Sequence, residues 1–257
     1  MEKGYSNMEG GSGTSEQVVD AIQYFTGCLG MSQALGVLTI ILTLVWTCYY
    51  RGGFAWHDDV AHEFNYHPLF MILGLVFFYA EAILVYRVFR NVKKLYVKLL
   101  HASLHFLAII FVIVALKAVF DSHNLAKPTP HPNLYSLHSW LGLSVVLLFG
   151  LQYVSGFVSF LFPKLSLALR QWYMPTHVFF GIAIFLGAIA TALMGLTEKL
   201  LFLRGDMSTF RTAEGTFINI LGLLLVAFAG LVIYLVINPK YKRQPLPEEE
   251  MIQLSQD

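Results

Sequence analysis

The stretch KLLHASLHFLAIIFVIVALKAVF, residues 98–120, decides how the rest of the chain is read. Between Lys98 and Lys117 it holds no Lys, Arg, Asp or Glu. A helix of about twenty such residues, rising 1.5 Å each, spans a hydrocarbon core about 30 Å thick. His101 and His105 lie near its start. Ionisable side chains in lipid are costly, so each marks a functional hypothesis. Lys117 sits close to the other end, where its long stem can carry the charge out to the interface.

Working outward, comparable apolar segments occupy residues 66–86, 137–162, 174–196 and 216–237, and no Lys, Arg, Asp or Glu lies between Asp20 and Arg51. That first run is too long for a cleaved leader and has no basic residues just before it, so it reads as a retained helix. The expectation is an all-α polytopic membrane protein of six transmembrane helices, with helices two to five forming a central four-helix bundle. Residues 1–20 read as a polar cytosolic start, 21–238 as one membrane domain, and 239–257, with Pro245, Pro247 and Glu248, Glu249 and Glu250, as a disordered cytosolic tail.

Composition agrees. Of 257 residues 56% are hydrophobic and 13% charged, and the mean hydropathy is +0.62, which excludes an ordinary soluble globule. Lys plus Arg total 17 against 16 Asp plus Glu, so there is no basic surplus for nucleic acid. Cys28 and Cys48 stand about 30 Å apart on one helix, too far to bridge, and neither belongs to a C-x-x-C motif. Thiolate metal sites and covalent haem attachment therefore lack support.

Six spans put both termini on one side. Lys3, Arg87, Arg90, Lys93, Lys94, Lys98, Lys164, Arg170, Lys240, Lys242 and Arg243 fall on the side of the termini, against Arg51, Lys127, Lys199, Arg204 and Arg211 on the other. The excess of basic residues assigns the termini to the cytosol.

Five of the nine histidines fall within spans. Helices two and four run inward from the non-cytosolic face, and His67 and His138 lie near their beginnings. Helices three and five run outward, and His101 and His177 lie near theirs. The four thus form two pairs at two depths, and facing imidazoles without a nearby carboxylate or thiolate suit the axial positions of a haem iron. Two stacked, non-covalent b haems are the economical reading. His105, one turn beyond His101, reads as its neighbour or a proton acceptor rather than the ligand. Glu81 is fourteen residues from His67, within about 40° of it on a regular helix. That places it toward the bundle interior, either as protonated packing or as a group that accepts a proton or tunes a haem.

The stretches YRGGFAW (50–56), FNYHP (64–68), LVYRVFR (84–90), KLLHASLH (98–105), NLYSLHSW (133–140), MPTHVFFG (174–181) and TALMGLTEK (191–199) together resemble the cytochrome b561 family. The resemblance implies a six-helix protein with two b haems that carries electrons from cytosolic ascorbate across a membrane to monodehydroascorbate or ferric iron. It assigns His67 with His138 to the non-cytosolic haem and His101 with His177 to the cytosolic one. It places Arg87, Lys94, Lys98 and Arg170 at the cytosolic ascorbate site, and His123 and Tyr135 near the non-cytosolic acceptor, with Asn133 and Phe120 flanking that loop.

Spacing supports the cytosolic part: Lys94, Lys98, His101 and His105 make one helical stripe toward the haem ligand. Such cations also fit a positive-inside or lipid-headgroup role. Lys98 or His105 could take the proton that ascorbate gives up. His57, His62 and His131 read as solvent-exposed loop residues, with a metal site near Asp58 or Glu63 as the alternative. Trp140, Gly142 and Gly156 read as packing positions. Rival functions are a quinol-linked dihaem membrane subunit and a haem-free metal or proton transporter. The expected membrane is an endomembrane vesicle or lysosome, or the plasma membrane, and a homodimer is compatible with the sequence.

Overall fold

In lipid, a charge-free segment can satisfy its backbone only by hydrogen bonding within itself. The computed structural model describes residues 10–247 and 249, with side chains from residue 23 onward except that of Arg204. Among the described residues every regular element is helical. Six helices among them are long and apolar enough to cross a membrane: Gln23–Tyr50, Val60–Val88, Lys94–Asn124, Leu137–Phe160, Leu167–Leu203 and Ala213–Ile237. The expected all-α, six-span architecture is the one observed. The third span has 31 residues. That is about 46 Å of helix, so its ends stand beyond a core of about 30 Å.

Local chemistry sets the boundaries. Before the fourth span Ser136 and Ser139 form a reciprocal capping box, each side-chain oxygen accepting from the other's amide at 3.3 and 3.1 Å. Thr212 accepts from the Gly215 amide at 3.1 Å to start the sixth. The long helix containing the fifth span ends at Gly205, whose φ of 73° suits a residue without Cβ.

The exterior is apolar: Leu223, Leu147, Leu151 and Ile113 are exposed, as expected for a surface whose solvent is hydrocarbon. Inside, Tyr79, Leu84, Phe185, Leu225 and Phe228 are fully buried. The second span packs on the third, the fourth on the fifth, and the first on the sixth. Gly74 brings the second and third spans together, since a Cβ there would lie 2.9 Å from the Ala108 carbonyl oxygen. Along the buried face of the first span Thr39, Thr43 and Thr47 donate to carbonyls one turn back at 2.8, 2.8 and 2.9 Å, so no hydroxyl is stranded.

Both ends of the bundle are tied. At the His67 end, Glu214 accepts from Trp46 at 2.8 Å and from Arg51 at 2.9 Å, joining the sixth span to the first. At the His101 end, the Arg90 guanidinium sits 4.4 Å from the Phe25 ring centroid and Arg243 donates to the Val92 carbonyl at 2.9 Å. Tyr241 is buried against Phe25. The described part of the stretch expected to be a disordered tail thus packs on the bundle; residues 248 and 250–257, and residues 1–9 of the polar start, lie outside the described residues.

The second span departs from a regular helix. Residues Ile72–Phe78 form a π-helix, whose i→i+5 bonds put about one extra residue in each turn. Over seven residues this removes roughly a third of a turn of rotation. The expectation that Glu81 faces the interior with His67 is therefore corrected. Its carboxylate accepts from Gln33 of the first span at 2.7 Å.

Candidate functional site

His67 stands in the Tyr66–Met71 helix and His138 is the second residue of the fourth span. Their ring centroids are 6.1 Å apart. His67 Nδ1 lies 3.2 Å from the Ala115 carbonyl and His138 Nδ1 lies 2.9 Å from that of Thr191. A carbonyl only accepts, so each Nδ1 carries the proton and each Nε2 keeps its lone pair for a metal. Gly195 makes this possible, because a Cβ there would meet His138 Cε1 at 2.6 Å.

The second pair repeats the arrangement at the other depth. His101 and His177 have ring centroids 6.3 Å apart, and His101 Nδ1 lies 2.7 Å from the Ala82 carbonyl. His177 Nδ1 is buried without a hydrogen-bond partner. Gly156 leaves it room, since a Cβ would lie 2.8 Å from His177 Cε1. His105 is buried, its ring 4.6 Å from that of His101 and 4.7 Å from that of Tyr79. Its Nδ1 also has no partner.

Two imidazoles bound to one metal at about 2 Å each hold their centroids roughly 6 Å apart, so each pair is spaced to hold one metal ion between its rings. At the His67 level the clamp opens on a cavity of about 180 Å³ lined by apolar groups including Pro68, Met71, Leu75, Val145 and Ala188. Such walls would keep water from a flat apolar macrocycle.

Phe120, His123, Asn133 and Tyr135 line that same cavity. His123 Nδ1 is 3.1 Å from Asn133 Oδ1, and Asn133 donates to Asn124 at 2.8 Å, which fixes the loop edge. Burial, and after it the Glu198 carboxylate, pushes the Tyr135 hydroxyl pKa up. Two lining residues escaped the sequence reading. Gly195 lay inside TALMGLTEK without a visible reason, and Lys199 was counted only as a loop cation. The structure puts the Lys199 ammonium 3.7 Å from the Phe64 ring centroid, at the cavity wall.

At the His101 end, Lys98 donates to the Phe160 carbonyl at 3.1 Å, reaching from the third span to the end of the fourth. Lys94, Arg170 and Lys164 act electrostatically on Lys98, so these cations share one neighbourhood. Arg170 Nε is buried without a partner. Arg87 is turned away, its guanidinium donating to the Val236 carbonyl of the sixth span. The Lys94 amide donates to Glu249 at 2.8 Å, and Glu249 also pairs with Arg243.

The family described as eukaryotic cytochrome b561 matches residues 66–203, the segment that contains all four paired histidines. The chain is 44% identical over 241 residues to a putative transmembrane ascorbate-dependent reductase CYB561 homolog of Caenorhabditis elegans, covering 90% of this chain and 89% of that one. It is 44% identical over 248 residues to the transmembrane ascorbate-dependent reductase CYB561 of Homo sapiens, covering 96% and 94%. It is 46% identical over 239 residues to the plasma membrane ascorbate-dependent reductase CYBRD1 of Xenopus laevis, covering 92% and 82%. The prosthetic group that the family name implies is haem b, and the paired imidazoles and glycine clearances fit it. On these matches and this fold, the chain belongs to the eukaryotic cytochrome b561 family.

Proposed function

We propose that this membrane oxidoreductase takes electrons from ascorbate at its cytosolic end and delivers them across the bilayer to a one-electron acceptor, monodehydroascorbate or a ferric chelate. The reductase names of its relatives support ascorbate as donor. The excess of Lys and Arg at the His101 end supports that end, with both termini, as the cytosolic one.

His67 with His138, and His101 with His177, would each hold one non-covalent b haem, which would supply a one-electron carrier at each depth. The chain's own part is to aim the ligands, exclude water and place charge. Hydrogen bonds to Ala115, Thr191 and Ala82 orient three of the imidazoles. Lys98, Lys94 and Arg170 attract the ascorbate anion to the cytosolic face. Ascorbate loses a proton as it loses an electron. Lys98, at the cytosolic end of the third span, or His105, beside His101 with its Nδ1 unpartnered, would receive it. At the other end His123, Asn133, Tyr135 and Phe120 frame the acceptor's approach.

The observation that carries this reading is the pair of depth-matched imidazole couples, three of whose four rings hold Nδ1 against a backbone carbonyl. The test is a visible spectrum of the purified protein before and after ascorbate, with haem quantified per chain. Two haems and rapid reduction are expected, and one haem or none overturns the reading. Replacing His67 or His138 by Ala should spare reduction of the cytosolic centre, whereas His101→Ala or His177→Ala should abolish it. Identical losses from all four variants would count against two separate centres.

A further inference from the structure

Away from the histidine pairs, His57, Glu63 and Asp121 converge at the His67 end of the bundle. Each offers one ligand atom, and these atoms all lie within 4.8 Å of one another. They come from the connection after the first span, the start of the second and the last turns of the third. Glu63 is fully buried, and its Oε1 has no hydrogen-bond partner. Its Oε2 accepts from the His57 amide at 3.2 Å, so the loop backbone already holds the carboxylate in place. His57 Nδ1 lies 4.0 Å from Asp121 Oδ2. A buried carboxylate oxygen left without a partner is expensive, and a cation beside it removes the cost.

We propose that His57, Glu63 and Asp121 bind one divalent transition-metal ion of the Zn²⁺ class, which locks the connection after the first span onto the third span. One imidazole nitrogen and two carboxylate oxygens form a borderline set that suits Zn²⁺ better than soft Cu(I), and the imidazole disfavours Ca²⁺ and Mg²⁺. Two carboxylates balance the ion's charge, and three protein ligands leave a fourth position for water. The neighbouring charges are identifiable. Lys117 forms an ion pair with Asp121 Oδ2 and competes with the metal for it. His62 and Asp59 pair with each other at 2.5 Å, so His62 Nδ1 is engaged outside the site. Phe64 and Phe120, each adjacent in sequence to a proposed ligand, line the cavity with His67 and His138, so the ion would stand behind the cavity wall.

The experiment uses the full-length, haem-loaded protein in detergent, freed of loose metal with EDTA and titrated with ZnCl₂. Bound zinc is measured by equilibrium dialysis and stability by thermal unfolding. A saturable equivalent of Zn²⁺ that raises the Tm is expected. His57→Ala and Glu63→Gln should each weaken that equivalent at least tenfold, while His62→Ala and His131→Ala leave it unchanged. Lys117→Gln should tighten it several-fold by removing the competing charge, an effect that a purely structural triad would not produce. Should Glu63→Gln fail to fold, His57→Ala, whose side chain is 56% exposed, carries the test. No saturable binding, undiminished binding in His57→Ala, or loss of the equivalent in His62→Ala or His131→Ala would each overturn the proposal.

Discussion

Gly195 and Gly156 occupy equivalent roles at the two depths, and a single methyl group at either presses on an imidazole. A Cβ would lie 2.6 Å from His138 Cε1 at Gly195 and 2.8 Å from His177 Cε1 at Gly156. The His138 ring is tied to the Thr191 carbonyl, whereas His177 Nδ1 has no such anchor. Overpacking of this kind costs about 1–3 kcal/mol. Gly195→Ala is expected to lower haem retention at the His67 level by the larger amount, with Gly156→Ala milder and confined to the His101 level. Haem content per chain and a redox titration that resolves two midpoints check both. Gly195 had no spacing or charge to single it out in the sequence, because its importance lies in a ring that approaches from another helix.

At the scale of elements, the second span shows how local irregularity redirects chemistry. Its π-segment turns Glu81 toward Gln33 of the first span, where a regular 100° rotation put it with His67. Gly74 lies within that segment, and a Cβ there would meet backbone, the Ala108 carbonyl oxygen at 2.9 Å, which no rotamer change relieves. Gly74→Ala should therefore separate the second and third spans and destabilise the protein by about 1–3 kcal/mol. Since those spans carry a ligand to each centre, both haem signals should fall in one thermal transition followed by visible absorbance. The third span makes a separate prediction. Lys98 is the cation that bridges to the Phe160 carbonyl at the His101 end, and Lys98→Ala should raise the ascorbate concentration for half-maximal reduction about three- to tenfold. Added salt should shrink the difference, because screening weakens the wild-type attraction. An ascorbate dependence unaltered by the substitution would remove Lys98 from the site.

For the molecule as a whole, the described tail couples charge to closure of the His101 end. Glu249 accepts from the Lys94 amide and from Arg243. Partial burial works to raise its pKa, but the Arg243 guanidinium and the Lys94 and Leu246 amides outweigh it and hold the carboxyl at about 2, below the ordinary 4.5. A lowered carboxylate pKa stabilises the contact in full above the ordinary value and ceases to do so as pH falls through the lowered one. Hydrogen-exchange protection of the Lys94 amide should therefore be constant from pH 7 to about 5 and decline between 4.5 and about 2. Glu249→Gln should reduce it already at pH 7.

Hydropathy, run length and the order of charges were sufficient to specify six membrane helices, because a backbone in hydrocarbon has no partner but itself. Alternating helix direction then sorted His67 with His138 and His101 with His177, a matter of counting residues from each end. Contacts between residues far apart in the chain needed the tertiary structure. Only packing brings the Ala115 and Thr191 carbonyls to the imidazoles, sets Gly195 under His138, and gathers His57, Glu63 and Asp121 across the chain. Helical periodicity supplies direction along one axis, whereas rotation about that axis and the meeting of separate helices depend on side-chain fit and on a π-segment that no charge pattern announces.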